Sequence, residues 1–300
     1  MRIGITKWVL YILLALIWGS SFELMKLGLF EDNDVTKPVL SAYQVAALRL
    51  LCAGIIILPL GVQAYKAIPK QLRLYAVLSG VLGSFLPAFL FCLAEVRLDA
   101  SFAGMLNSLT PIFVVVVGFL FFQLKPNTLQ VCGILVSFVG SIALFLSKSG
   151  QTGDLLYVGY ILLATFLYGL NVNMVGNKLR TVPSIHIAAL AFSSLIIPSG
   201  IVLYFTGMLQ HNLGNEAVLK SIGASALLGV LGTTIASVLF YRLMKLAGPV
   251  FASAVTYGIP FVAIMWDVVH GVGINAYTIA SLCIILLGIV VINYKQLMGK

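Results

Sequence analysis

Charge is what this chain has least of. Lys and Arg number 18 among 300 residues and Asp and Glu only nine, so 9% of residues are charged, against about 25% in a soluble globular domain. With 61% of residues hydrophobic, no water-soluble core could cover the apolar surface, and the expected solvent is lipid. Cysteine and histidine are sparse too. Cys52, Cys92, Cys132 and Cys283 fall singly inside apolar stretches, and His186, His211 and His270 stand far apart. Metal and redox motifs need much closer spacing, and lone thiols behave as small core residues. HExxH, GxSxG and phosphate-cradling Gly-Lys loops are also missing, which excludes the common hydrolase constellations and a self-contained ATP-driven pump. No metal or other cofactor is expected. A net charge of +9 would suggest nucleic acid in a soluble protein. Here the cations are scattered between apolar runs, as topology signals rather than a binding face, so no nucleic-acid partner is expected.

What is present is a series of apolar runs of roughly 19 to 25 residues, the length that crosses a hydrocarbon core. They predict helices over 8–29, 39–63, 72–94, 100–122, 128–147, 155–177, 184–207, 219–245, 250–270 and 276–294, an all-α membrane protein of ten transmembrane helices. Arg2 and Lys7 ahead of the first run admit a signal peptide. Trp18-Gly-Ser-Ser-Phe22 is not a small-x-small cleavage site, however, and the run continues past it, so it reads as a retained first helix. With both termini cytoplasmic, the inner side holds twelve of the eighteen basic residues, among them Lys66, Lys70, Arg73, Lys125, Lys178, Arg180, Arg242 and Lys245. All nine acids then lie on the outer side or in its helix ends. That bias of Lys and Arg predicts N-in, C-in.

The chain also resembles itself. At a shift of 149, Gly80-Val-Leu-Gly-Ser84 recurs as Gly229-Val-Leu-Gly-Thr233, Phe91 as Phe240, Phe102-Ala103 as Phe251-Ala252 and Pro111 as Pro260. At 150, Trp18-Gly19 becomes Tyr168-Gly169, and at 148 Gly140 becomes Gly288. Two halves, 1–149 and 150–300, each of five helices, imply an inverted-topology repeat, because an odd number of spans inserts the second half upside down. Two pseudo-equivalent halves let one midplane site open to either side in turn. A channel or a scaffold has less reason to be built so.

Polar groups inside a span cost a few kcal/mol (about 2.5–3.5 for a charge), so each is a candidate for function, set against an interhelical hydrogen bond worth about 0.6 kcal/mol. Trp18, Ser21 and Met25 share a face of the first helix, and Tyr168, Asn171 and Val175 repeat that face in the other half. The pattern suits a pocket that stacks and hydrogen-bonds a small polar solute, or plain interhelical packing. Asn107 and its repeat mates Thr256 and Tyr257 precede Pro111 and Pro260 by about a turn. Proline frees a carbonyl and bends the rod, so these segments read as paired kinks beside a cavity. Glu23 and Lys26, at i and i+3, can pair on one face, or contact a solute or proton. Arg49 lies too deep in the second helix to snorkel easily and needs a partner, whether a structural clamp or a solute anion. Asp267 and His270 are either a proton relay or interfacial polar groups. Glu95, Arg97 and Asp99 read as a solvated outer turn.

Trp18-Gly-Ser-Ser-Phe22 followed by Lys26, Arg49 in helix 2, the Ala103…Pro111 and Ala252…Pro260 segments and the duplicated five-helix unit together resemble the drug/metabolite transporter superfamily, specifically EamA-type permeases. The resemblance spans essentially the whole chain. It implies a bundle in which helices 1, 3, 4, 6, 8 and 9 surround a cavity while helices 5 and 10 support it from outside. It also implies export of amino acids or related metabolites across a bacterial inner membrane, with the lipid bilayer and a small-molecule substrate as partners. Trp18, Ser21, Asn107, Tyr168, Asn171, Thr256 and Tyr257 then fall on cavity helices. Family members commonly carry Glu at the ends of helices 4 and 9, where this chain has Leu124 and Val272, so whatever those acids do is not carried by these positions here. A cationic-drug or nucleotide-sugar-type carrier of the same fold is the alternative, and a membrane scaffold or embedded enzyme a more distant one. Small residues on several helices serve internal packing or a homodimer equally well.

Overall fold

The computed structural model describes residues 2–98, 100–147, 154–269, 273–292 and 294, and these are helical apart from short connections and one isolated bridge between Phe30 and Pro38. Helix α1, Arg2–Leu29, ends in a tight turn in which Asp32 and Asn33 take positive φ, a conformation their short polar side chains tolerate. Helix α2, Ala42–Ala67, starts in a capping box: the Ser41 hydroxyl accepts from the Gln44 amide at 3.3 Å, and the Gln44 side chain accepts from the Ser41 amide at 2.9 Å. This satisfies two of the amides a helix start leaves unpaired. Helix α3, Lys70–Glu95, carries a π turn over Val81–Phe85. Pro87 follows two residues after it, and without an N–H it cannot bond the carbonyl four residues back.

Helix α4 consists of Ala100–Asn107 and Thr110–Phe122, broken at Ser108–Leu109, where the amides bond three residues back instead of four. Helices α5, Thr128–Ser147, and α6, Leu155–Lys178, follow. Helix α7 joins Ser184–Ser194 to Ile196–Phe205. Helix α8, Glu216–Ala247, has a π stretch over Leu228–Ile235. Helix α9 runs from Pro249–Ser253 through a 3-10 segment, Ala254–Gly258, into Ile259–Val269, and α10 is Ala276–Ile292. Among the described residues eight helices are long and apolar enough to cross a membrane, while α5 and α10 contain shorter apolar helices, Thr128–Leu144 and Ala276–Ile292.

The departures from α geometry fall at repeat-related places. The π turns of α3 and α8 coincide with the two Gly-Val-Leu-Gly segments, and the breaks in α4 and α9 precede Pro111 and Pro260. Packing repeats as well. A Cβ on Gly80 of α3 would lie 2.8 Å from the Ala191 carbonyl oxygen of α7, and one on Gly229 of α8 would run into the Arg49 carbonyl of α2. Only glycine permits these backbones to approach so closely.

Helices α5 and α10 pack against each other through small residues. Ser137 donates to the Ile285 carbonyl at 3.2 Å, and a Cβ on Gly133 would stand 2.6 Å from the Gly288 carbonyl oxygen. Large apolar side chains such as Ile55, Ile56, Phe119, Phe121 and Phe205 stand exposed around the bundle. A surface of that kind is stable against lipid, where helices satisfy their own backbone bonds.

Candidate functional site

Helices α1, α2, α3, α4, α6, α8 and α9 enclose a cavity of about 100 Å³, room for several waters by a measure in which one needs about 10–15 Å³. Irregular backbone supplies much of its polarity. The π stretch of α8 leaves the Gly232 carbonyl free to accept the Trp18 indole N–H at 3.1 Å, and the indole ring packs on Phe240 at 5.2 Å. The same stretch places the Thr233 hydroxyl where Arg49 Nε and Nη2 both donate to it, at 3.3 and 3.1 Å. The structure therefore gives Arg49 a partner that is neither a carboxylate nor a backbone carbonyl, and leaves its guanidinium half-buried on the cavity wall. Among the described residues Arg49 supplies the only formal charge in the lining.

On α6, Tyr168 stacks on Phe91 with ring centroids 6.1 Å apart. One turn on, Asn171 is buried in the wall with its Oδ1 lacking a hydrogen-bond partner. Across the repeat Ser21 is buried and donates to the Ile17 carbonyl at 2.7 Å. A Cβ on Gly232 would sit 2.6 Å from that hydroxyl, while one on Gly83 would collide with the Asn171 amide. Each half thus lends a glycine to make room for the other half's polar residue. Asn107 Oδ1 accepts from the Thr110 hydroxyl at 3.2 Å, and the Thr256 hydroxyl donates to the Ser253 carbonyl at 3.0 Å. Both line the cavity beside the breaks that precede the prolines.

The structure thus brings together six of the seven residues read from the sequence as solute contacts, Trp18, Ser21, Asn107, Tyr168, Asn171 and Thr256, and adds Arg49. Tyr257 is the correction. It is fully buried outside the lining, with its hydroxyl donating to the Ile134 carbonyl of α5 at 3.0 Å, because adjacent helical residues point about 100–120° apart and Thr256 takes the cavity face. Glu95 is a second correction. Helix α3 runs through it, so instead of meeting solvent in a turn it is wholly buried, while Arg97 is exposed. Lys26 Nζ reaches the Glu95 backbone carbonyl at 2.6 Å, and Glu23 Oε2 accepts from the Asn33 amide at 3.1 Å. His270, Asp99, Val272 and the Asp267 side chain lie outside the described residues.

Several lining residues were not singled out from the sequence, among them Gly83, Ser84, Phe91, Gly232, Thr233 and Phe240. All six belong to the repeat that the self-comparison found. Coincidence under the 149-residue shift marks them in the sequence, along with pairs such as Gly80 and Gly229 that pack outside the lining. A second cavity, of about 330 Å³, lies between the C-terminal ends of α4, α6 and α8 and the start of α9, with Arg180, Lys245 and Leu124 in its wall. Asn173 lines this second cavity, its side-chain amide donating to the Val114 and Gly169 carbonyls at 2.8 Å each.

Comparison with known proteins agrees with this architecture. An uncharacterized transporter of Archaeoglobus fulgidus is 22% identical over 292 residues, covering 97% of this chain and 99% of that protein. A protein solved by crystallography, 15% identical, superposes with a TM-score of 0.69 over 97% of this chain and 98% of its own, and so shares the fold. The EamA-like transporter family matches twice, over residues 6–146 and again over 155–294. With a family match in each half, covering nearly the whole chain, this protein belongs to the EamA-like transporters.

Proposed function

We propose that the chain is a secondary permease for a small amphipathic metabolite bearing a carboxylate, with amino acids and their derivatives as the first class to test. The observation that carries this reading is the single guanidinium of Arg49 in a wall otherwise made of uncharged residues, chiefly hydroxyls, amides and aromatic rings with Met25 and Val172. Arg49 has donors to spare beyond those on Thr233, and the Arg fork matches a carboxylate. Asn171 Oδ1, buried without a partner, offers an acceptor to an ammonium group. Trp18, Phe91, Phe240 and Tyr168 give an apolar side chain its walls. A cationic-drug carrier of this fold would need an acid in the lining, and among the described residues the lining has none.

The mechanism is alternating access, in ten spans arranged as two inverted five-helix halves with the boundary near residues 149–150 and both termini cytoplasmic. Support comes from the glycines traded between halves, from the π turns and breaks at repeat-related positions, and from the inward bias of Lys and Arg. Apolar helices α5 and α10 cross as the two shorter spans. The bacterial inner membrane and export are the location and direction that the family resemblance implies. Counterflow in proteoliposomes against amino acids, sugars and cationic drugs tests the substrate class. Exchange confined to carboxylate-bearing solutes is expected, and exchange of sugars or cationic drugs alone would reject it. A reporter fused to the C-terminus and found outside the cytoplasm would reject the topology.

A further inference from the structure

Just beyond the cavity, on the same face of α3 as Phe91 and one turn further on, lies Glu95. It has no exposed surface, and neither carboxyl oxygen has a hydrogen-bond partner. Phe91 and Phe22, whose rings meet at 5.9 Å, line the solute space, and Glu95 itself is outside the lining. A buried carboxyl with no local partner depends on the charges around it. Those charges are Lys26 and Glu23 from α1 and Arg49 from α2, with the Cys92 thiol on its own helix. From α6 comes the Tyr168 phenol, and the α4 segment Ala100–Asn107 contributes no titratable group. With Glu95 ionised this cluster sums to zero, two cations against two carboxylates. With Glu95 protonated it carries one positive charge, which an anion at Arg49 would cancel.

From this we infer that Glu95 is a proton-binding site linked to the solute site, so that a proton and the solute carboxylate bind together and move in the same direction. The inference rests on the reading of Arg49 as the carboxylate anchor. A carboxylate drawn to Arg49 takes up part of the positive field that Glu95 relies on, so the Glu95 oxygen binds a proton more readily. By linkage, the proton strengthens solute binding by the same factor. The solute and one proton enter the cluster on one side and leave it on the other, and no bond to the solute is made or broken. Efflux of an accumulated solute then carries a proton out, and an acidic exterior opposes it.

The test uses proteoliposomes of the full chain, clamped at zero membrane potential and loaded with whichever labelled amino acid exchanges best in counterflow among leucine, threonine, phenylalanine, lysine and glutamate. One proton per solute over one pH unit corresponds to a factor of ten, so a one-unit gradient, acid outside, is expected to shift the steady-state solute ratio inward by up to about tenfold. E95Q is expected to lose the gradient response while solute-for-solute counterflow, which needs no net proton movement, persists. E95D is expected to keep the response with its pH profile displaced, and it decides the matter if E95Q does not assemble. A wild-type protein that exchanges solute but ignores the gradient, or responds with the opposite sign, overturns the proton site alone. So does a response unchanged in E95Q, or a pH profile unmoved in E95D. Absence of counterflow with any carboxylate solute defeats the permease reading itself and the proton site with it.

Discussion

Removing the guanidinium of Arg49 separates a carboxylate anchor from a generic polar pocket. In R49A the Thr233 hydroxyl, which Arg49 engages at 3.1 and 3.3 Å, keeps an acceptor in the Leu228 carbonyl at 3.4 Å. Thr233 is therefore not orphaned, and the positive charge lost beside Glu95 is lost for every solute, so the contrast between two solutes that differ only in the carboxylate isolates the contact to Arg49. A hydrogen bond to a charged group is worth about 1.5–3 kcal/mol, and about 1.4 kcal/mol is a factor of ten. The half-saturating concentration of an amino acid is therefore expected to rise by about 10- to 150-fold. The corresponding amino-acid amide, nearly the same in shape, offers the guanidinium one neutral acceptor in place of two anionic oxygens, so it loses a single bond at the low end of that range, about 1.5 kcal/mol, roughly tenfold. R49K keeps a charge but not the planar fork, and is expected to fall between wild type and R49A. Counterflow of the labelled amino acid, competed by the unlabelled acid and amide in parallel, measures all three. If R49A weakened acid and amide equally, Arg49 would be a structural clamp and the substrate class argued from it would fall.

Three further outcomes follow from the packing. G229A forces a Cβ against the Arg49 carbonyl, a backbone atom that cannot swing aside, so overpacking of about 1–3 kcal/mol is expected to lower the thermal midpoint of the detergent-solubilised protein; an unchanged midpoint contradicts the packing described. Y257F removes the bond to the Ile134 carbonyl, which lies away from the cavity. It is expected to cost about 1 kcal/mol of stability with the half-saturating solute concentration unmoved, and a shift in that concentration would place Tyr257 back in the site. W18F keeps a ring against Phe240 but loses the indole bond to the Gly232 carbonyl. A several-fold weakening in counterflow is expected from a neutral bond of about 0.5–1.5 kcal/mol, with W18A weaker still; W18A equal to wild type would remove Trp18 from the site.

Helix positions were legible because apolar runs of spanning length and polar connections are local properties of the chain, and the observed helices follow those runs with ends moved by a few residues. The duplication was legible for a similar reason: Gly-Val-Leu-Gly and the paired prolines mark places where the backbone departs from α geometry, and such departures leave residue signatures. What the sequence could not decide was which face each residue turns to, and which atom it meets there. Thr256 and Tyr257 are neighbours with the same polar, aromatic-rich context, yet one lines the cavity and the other bonds α5, because adjacent helical residues point about 100–120° apart and only packing decides which of the two faces inward. Glu95 reads as a turn residue from its charged neighbours Arg97 and Asp99, yet α3 extends through it and buries it against Lys26 of another helix. Arg49 announces by its depth that it needs a partner. That the partner is Thr233, 184 positions away, depends on how α2 crosses the π stretch of α8, and a crossing is fixed only when both helices and the glycine between them have packed.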